Sequence, residues 1–475
     1  MKHPQEHLEG HFWLTASNPR VEALRPPPTR DLEWIRMLIY AYFFLLFLEG
    51  ILRKWVFPQF SDFFLLIRDP LLLVTYFLAI RSRYFPWNSY TLSITALGIL
   101  CFVVSLMNEN CSFLVTCYGA RTTFFHIPLI FLIPKILTPR DVHRIGFWTL
   151  VIIIPTALLM VVQYLSPQDA WINTTPGGQG YQIASIGAGK IRPPGPFSFI
   201  TGVSEYFSLV TAILMIATIH RGIYPSGLVW TAFGALMLGS LVSISRLTVF
   251  SSALVVFAFC IFILIRPNYT GRLLVAGSVF LITFFFLSQI NSVQEALNTF
   301  QERVELAGQA EGGWHGFLNR VFLVFYEPFM DLKTTPLTGY GLGVGTNVGS
   351  YLLTQERQFL LSEGEWARVV MESGPILGFA VVGWRLILFI HLCWSSLKLA
   401  VYGYASPLLL FAAASTLLLI GQWGRPTTLG FSVFITGLCL TTVYHAHEEI
   451  TRNLEKENAK GSRPLPGPSI HAPLK

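Results

Sequence analysis

GFWTLVIIIPTALLMVVQYL, residues Gly146 to Leu165, runs for 20 positions without a charged side chain, with Arg144 just before it and Asp169 just after. A helix needs about 20 mostly apolar residues to cross the hydrocarbon core of a bilayer, so this stretch predicts a membrane span. The same reading recurs on both sides of it. Candidate spans run from Ile35 to Trp55, Asp62 to Ile80, Tyr90 to Met107, Ser112 to Leu137, Gly146 to Leu165, Phe199 to Ala217, Gly227 to Val242, Thr248 to Ile265, Leu273 to Ile290, Pro375 to Trp394, Pro407 to Leu419 and Leu429 to Tyr444. None shows the alternation of an outer-membrane barrel strand. The predicted fold class is all-α, a polytopic membrane protein with about 12 transmembrane helices and a large periplasmic loop between the ninth and tenth.

Composition agrees with that class. Of 475 residues 53% are hydrophobic and 12% charged, where a soluble domain carries about 25% charged residues. The net charge of +7 reads as orientation, because Lys and Arg gather in loops that are not translocated; on that ground nucleic-acid binding is excluded. Cys101, Cys111, Cys117, Cys260, Cys393 and Cys439 lie in or beside apolar stretches without metal-ligand spacing, which predicts packing roles, no metal site and no disulfide framework. Residues 1–34 are polar, include Pro26, Pro27 and Pro28, and lack the apolar core and cleavage site of a signal peptide. They are expected to remain as a cytoplasmic segment ahead of a membrane domain over residues 35–445. The proline-rich end is expected to make residues 446–475 a disordered cytoplasmic tail.

With a cytoplasmic N-terminus, the inner side receives Arg81, Arg83, Arg140, Arg144, Arg221, Arg266, Arg272, Lys398 and the basic C-terminal end. The outer side receives Ser166 to Ser198, the Ser245-Arg246 corner and the long segment from Asn291 to Gly374. Arg53 and Lys54 also fall outside, against the bias. Within the long segment, Val293, Leu297, Phe300 and Val304 recur at helical spacing, as in a helix lying along the interface. Phe317 to Met330 is a second helical pattern carrying Arg320, followed by TGYGLGVGTNVG from Thr338 to Gly349. That glycine-rich loop can approach a ligand closely. It lacks the preceding strand and following Lys-Ser/Thr helix that nucleotide binding requires.

Three constellations carry candidate chemistry. Arg192 stands in KIRPPGPFSF before the sixth span, where rigid prolines present a planar fork suited to phosphate oxygens; the plainer role is a charge pinning a helix end. Ser245-Arg246 in LVSISRLTVFSS places an arginine at the membrane surface, either facing an anion or reaching lipid headgroups. In SEGEWARVVMESGPILG, from Ser362 to Gly378, Glu365, Arg368 and Glu372 share one helical face, with Glu363 beside them. An intrahelical ion-pair ladder is one reading, and a glutamate tuned for proton transfer is the other. Further charges inside spans are Glu49, Arg53, Lys54, Arg68, Asp69, Arg121 and Glu205, for several of which mutual pairing accounts, Arg68 with Asp69 among them. His126 in FFHIPLIF reads as a hydrogen-bonded core histidine.

These residues together resemble the O-antigen ligase and polysaccharide polymerase superfamily, bacterial membrane glycosyltransferases acting on undecaprenyl-diphosphate-linked glycans. The resemblance covers about Ile35 to Tyr444 and rests on Arg192, on Ser245-Arg246, and on NRVFLVFYEPFMDLKTTPLTGYGLGVGTN followed by EWARVVMESGPILG, similar to "R…hPltGvGlG" and "aelGllG" in the family. It implies a periplasmic active site in the bacterial inner membrane and metal-independent transfer without a cofactor. An acceptor hydroxyl attacks the sugar carbon bearing the diphosphate. Arg192, Arg246 and Arg320 would hold diphosphate and saccharide, with Ser245, Arg121 and Arg368 as further substrate-binding residues. Ligases usually carry a histidine where this chain has Glu363, so the base here would be Glu363 or Glu365. EGILRKW and RDPLLLVTYFLA resemble a bacterial subgroup for which a polymerase or exopolysaccharide role is implied over ligation. The expected partners are the lipid-linked donor, a glycan or lipid acceptor, membrane lipid and other polysaccharide-assembly proteins. The alternatives are a transporter or flippase using Arg68, Asp69, Arg121 and Glu205, or a non-catalytic scaffold.

Overall fold

Thr138 and Asp141 close a capping box, each side chain accepting from the other's backbone N–H, with Pro139 in the first helical position. That start signal launches the helix containing the charge-free run, Pro139–Leu165. The computed structural model describes residues 30–108, 111–178, 180–182, 191–311, 313–356 and 359–461. Among these the regular structure is helical. In chain order the helices are α1 (Arg30–Ile51), α2 (Arg68–Arg81), α3 (Ser89–Leu106), α4 (Phe113–Ala120), α5 (Pro128–Ile136), α6 (Pro139–Leu165), α7 (Ile200–Ile219), α8 (Ser226–Val242) and α9 (Arg246–Ile265). There follow α10 (Thr270–Ser288), α11 (Asn291–Glu311), α12 (Gly313–Met330), α13 (Asn347–Thr354), α14 (Glu365–Val401), α15 (Ala405–Ile420) and α16 (Pro426–Gly461).

Among the described residues nine helical stretches are long and apolar enough to cross a membrane, and α8 and α15 are shorter apolar helices. The segment read as one span from Ser112 to Leu137 is α4 and α5 joined by a π-turn, Arg121–Phe125, with Pro128 opening α5. α7 and α16 form the centre, with 83% of each apolar window buried, whereas no residue in the window of α10 is buried. α7 packs on α9 and α15, and α16 on α15 and α5.

The long segment after α10 is mostly helix. α11 turns Val293, Ala296 and Thr299 into the protein, so its apolar face is covered by α8 and α12. α16 continues to Gly461, so residues 446–461, expected as tail, are helical. Residues 1–29 and 462–475 lie outside the described residues.

Candidate functional site

Hydrogen bonds between loops sort the molecule into two ends. At one end Arg53 donates to Ser198 Oγ at 3.1 Å, Lys54 Nζ to Gly195 O at 2.6 Å and Phe197 O at 2.8 Å, and Asn108 to Gly339 O at 2.9 Å. Gln422 donates to Glu363 O at 2.6 Å, and Trp366 to Leu419 O at 2.6 Å. At the other end Arg36 pairs with Asp141, His143 meets Ile223 O and His445 meets Leu137 O. Helices α7, α9, α14 and α16 all begin at the first end, and all three arginine- or glutamate-bearing constellations lie there.

α14 carries a break at Gly374, whose φ of 79° and ψ of 162° are non-helical; glycine tolerates this at no Cβ cost, and Pro375 lacks the N–H that a continuous helix would need. The glycine-rich loop fills the break: Tyr340 N–H donates to Met371 O at 2.8 Å and Gly341 N–H to Glu372 O at 3.0 Å. A Cβ on Gly339 would lie 2.3 Å from Glu372 O. The close approach that the glycines permit is therefore to the chain itself.

Around this break Glu365 accepts both Nε (3.1 Å) and Nη2 (3.0 Å) of Arg368 and also Nη1 of Arg385 (3.0 Å). Arg368 Nη1 reaches Glu372 at 2.7 Å, and Gly345 N–H donates to the other Glu372 oxygen at 2.9 Å. Arg385 is further held by carbonyls of Leu417, Leu418 and Gly421 and stacks 3.8 Å over Trp423. The ladder is therefore real, wholly buried, and extended by an arginine from the far side of the break. Bidentate pairing of this kind is geometrically specific.

A second buried network lies beside it. Arg68 pairs with Glu49 at 2.9 Å, where sequence reading expected Asp69, and donates to Pro426 O at 2.6 Å; Arg53 shares Glu49 at 3.3 Å. Asp69 instead pairs with Arg121 and with His126 (3.1 Å), whose other ring nitrogen meets Tyr42 OH at 3.0 Å. Arg53 and Lys54, the two basic residues that break the charge bias, are thus consumed inside the protein.

Five sequence-predicted residues lie outside the bonds just described. Glu363 is exposed at the rim. Arg246 opens α9, with Ser245 as its N-cap accepting from Thr248 N–H at 3.4 Å; Ile244, a β-branched residue at φ 47°, makes the turn, a conformation costing about 1–2 kcal/mol. Arg192 is half-buried, and burial lowers its guanidinium pKa. Arg320 lies on α12, and its side chain is outside the described residues.

Sequence reading missed Arg425. It caps α16, its carbonyl accepting from Leu429 N–H at 3.0 Å, and its half-buried side chain lies near Phe359, 5.9 Å from the ring centre. Burial lowers its pKa, and the carboxylates of Glu205, Glu363 and Glu365 oppose that shift. Neither the Arg425 nor the Arg192 guanidinium has a hydrogen-bond or ion-pair partner among the described residues. Glu205 on α7 is buried beside it, one oxygen accepting Thr428 Oγ1 at 2.5 Å. The signal was GQWGRPTT between two apolar runs, the same arginine-before-proline pattern at a span start that singled out Arg192.

Among the described residues no cluster of three or more His, Cys, Asp or Glu side chains forms a metal-binding group. No family model matches the chain and no curated protein matches it.

Proposed function

We propose that the chain is a membrane glycosyltransferase that transfers or polymerises undecaprenyl-diphosphate-linked oligosaccharide at the periplasmic face, in the manner of an O-antigen ligase or exopolysaccharide polymerase. The observation that carries this reading is two half-buried guanidiniums, Arg425 and Arg192, which have no hydrogen-bond or ion-pair partner among the described residues and lie at the end where α7, α9, α14 and α16 begin. Helix N-termini and arginine forks both favour phosphate oxygens. The charge that grows on a departing diphosphate would be met by groups already in place, which is where an enzyme gains most.

Sidedness supports the same reading. Arg36, Arg81, Arg140, Arg144, Arg221, Arg266, Arg272, Lys398 and Arg452 belong to the opposite end, as a cytoplasmic side requires. In this reading α8, α15 and the interrupted α4–α5 segment count as spans beside the nine helical stretches of membrane length among the described residues. Glu365 and Glu372 together neutralise Arg368 and Arg385 and so maintain the site, while Glu363 stands exposed at the rim, where an acceptor would approach.

The test is turnover of an undecaprenyl-diphosphate oligosaccharide by the protein in nanodiscs. Wild type is expected to release undecaprenyl diphosphate and lengthen or transfer the glycan, and Arg425→Ala to lose about 10²–10³-fold in rate. A bound donor that wild type leaves intact overturns the reading; movement of that donor between leaflets would then identify a flippase.

A further inference from the structure

Five carboxylates are buried among the described residues: Glu49, Asp141, Glu205, Glu365 and Glu372. Four have an arginine within ion-pair distance. Glu205 has none among the described residues. Its Oε1 accepts the Thr428 hydroxyl at 2.5 Å, and its Oε2 is enclosed without a hydrogen-bond donor. An unpaired carboxylate inside a membrane protein is costly and is retained for a use.

The surroundings of Glu205 point to that use. Arg425 and Arg68 are the charged groups that act on it. From α9, Thr248 and Ser251 bond to Ser204, and on α15 the Ala413 carbonyl takes Ser208. None of these occupies Oε2. Thr428 follows Arg425 by three residues in the first turn of α16, the spacing that places side chains side by side on a helix. Arg425, whose guanidinium has no hydrogen-bond or ion-pair partner among the described residues, and the hydroxyl already bonded to Glu205 therefore stand together at the start of α16, with the Arg425 and Glu205 charges acting on each other.

We propose that Thr428 and Glu205 form the proton path of the transfer, resting on the glycosyltransferase reading above. As the acceptor oxygen bonds to the sugar carbon, its proton passes to Thr428 Oγ1, and the Thr428 proton moves along the existing hydrogen bond to Glu205. The bond from sugar carbon to diphosphate oxygen breaks, and its electron pair leaves with the diphosphate beside Arg425. Glu205 ends neutral and Thr428 unchanged; return of the proton to water resets the site. Glu365 cannot take this part, since both its oxygens are held by arginines.

The experiment measures nanodisc turnover and donor binding across pH for wild type, Thr428→Val, Thr428→Ser, Glu205→Gln and Glu205→Asp. Thr428→Val and Glu205→Gln are expected to bind donor yet turn over about 10²–10⁴-fold slower, and Thr428→Ser to keep most of the rate. The fall in wild-type rate toward acid, as the carboxylate becomes protonated, should vanish in Glu205→Gln. Glu205→Asp should retain that acid limb. Thr428→Val or Glu205→Gln working at the wild-type rate with the wild-type pH profile overturns the relay alone. An inert wild type overturns the transferase reading and the relay with it. Glu205→Gln keeps the volume and an acceptor for Thr428, so its folded yield separates lost chemistry from lost structure.

Discussion

Glu365 holds two guanidiniums at once, and its removal strands charge where water cannot reach. Arg368 would keep Glu372, but Arg385 would face only carbonyls and the Trp423 ring. Breaking one partner of a buried pair typically costs about 3–5 kcal/mol. Glu365→Ala is accordingly expected to lower the melting temperature of the purified protein sharply, and the double variant Glu365→Leu/Arg385→Leu to recover part of that loss because no stranded cation remains. Equal damage from single and double variants would mean that Arg385 is held by its carbonyls alone. Glu363→Ala, at an exposed position, is expected to melt like wild type and to show its effect in turnover. Residue types were legible before the structure: the shared face of Glu365, Arg368 and Glu372 follows from helical spacing. Partners were not. Arg385 lies 20 residues from Glu365 and Arg68 reaches back to Glu49, and no local pattern encodes which distant charge a folded chain will bring near.

Elements were legible where hydropathy alone decides them and illegible where a neighbour does. A run such as Gly146 to Leu165 declares its own helix, and Pro375 was read correctly as the start of an apolar stretch. The break before it was not visible, because Glu365 to Gly378 keeps helical spacing throughout. It exists because the glycine-rich loop donates into Met371 and Glu372. The π-turn at Arg121–Phe125 was hidden in the same way, inside a stretch from Ser112 to Leu137 whose length and overall hydropathy read as one helix. The glycines of α14 are therefore unequal. Gly374 sits at φ 79° with a Cβ destined to fall 2.1 Å from Leu337 O, whereas Gly383, further along the same helix, has open space. Gly374→Ala is expected to cost at least about 1–3 kcal/mol, read as lost folded yield on gel filtration in detergent. Gly383→Ala should be neutral or stabilise by up to about 1 kcal/mol. Equal behaviour of the two would mean that the loop does not enforce the break.

At the scale of the whole molecule, the two ends carry different kinds of charge. At one end arginines and glutamates are drawn inward into paired networks, with Arg192 and Arg425 left over; at the other, basic residues flank helix ends, as Arg81 and Arg83 do around the close of α2. The positive-inside bias acts on charges that stay in short loops, so Arg53 and Lys54, buried against Glu49, Gly195 and Phe197, do not weigh against the orientation. A membrane-impermeant thiol reagent can decide it. In a background with the six native cysteines replaced, Trp171→Cys at the exposed rim beside the Arg192 segment is expected to be labelled in intact spheroplasts, and Arg83→Cys only after the membrane is opened. The reverse pattern would turn the Arg425 end toward the cytoplasm. A donor presented to the outer leaflet could not then reach those guanidiniums, and the charge bias would have been outweighed by the helices it was supposed to orient.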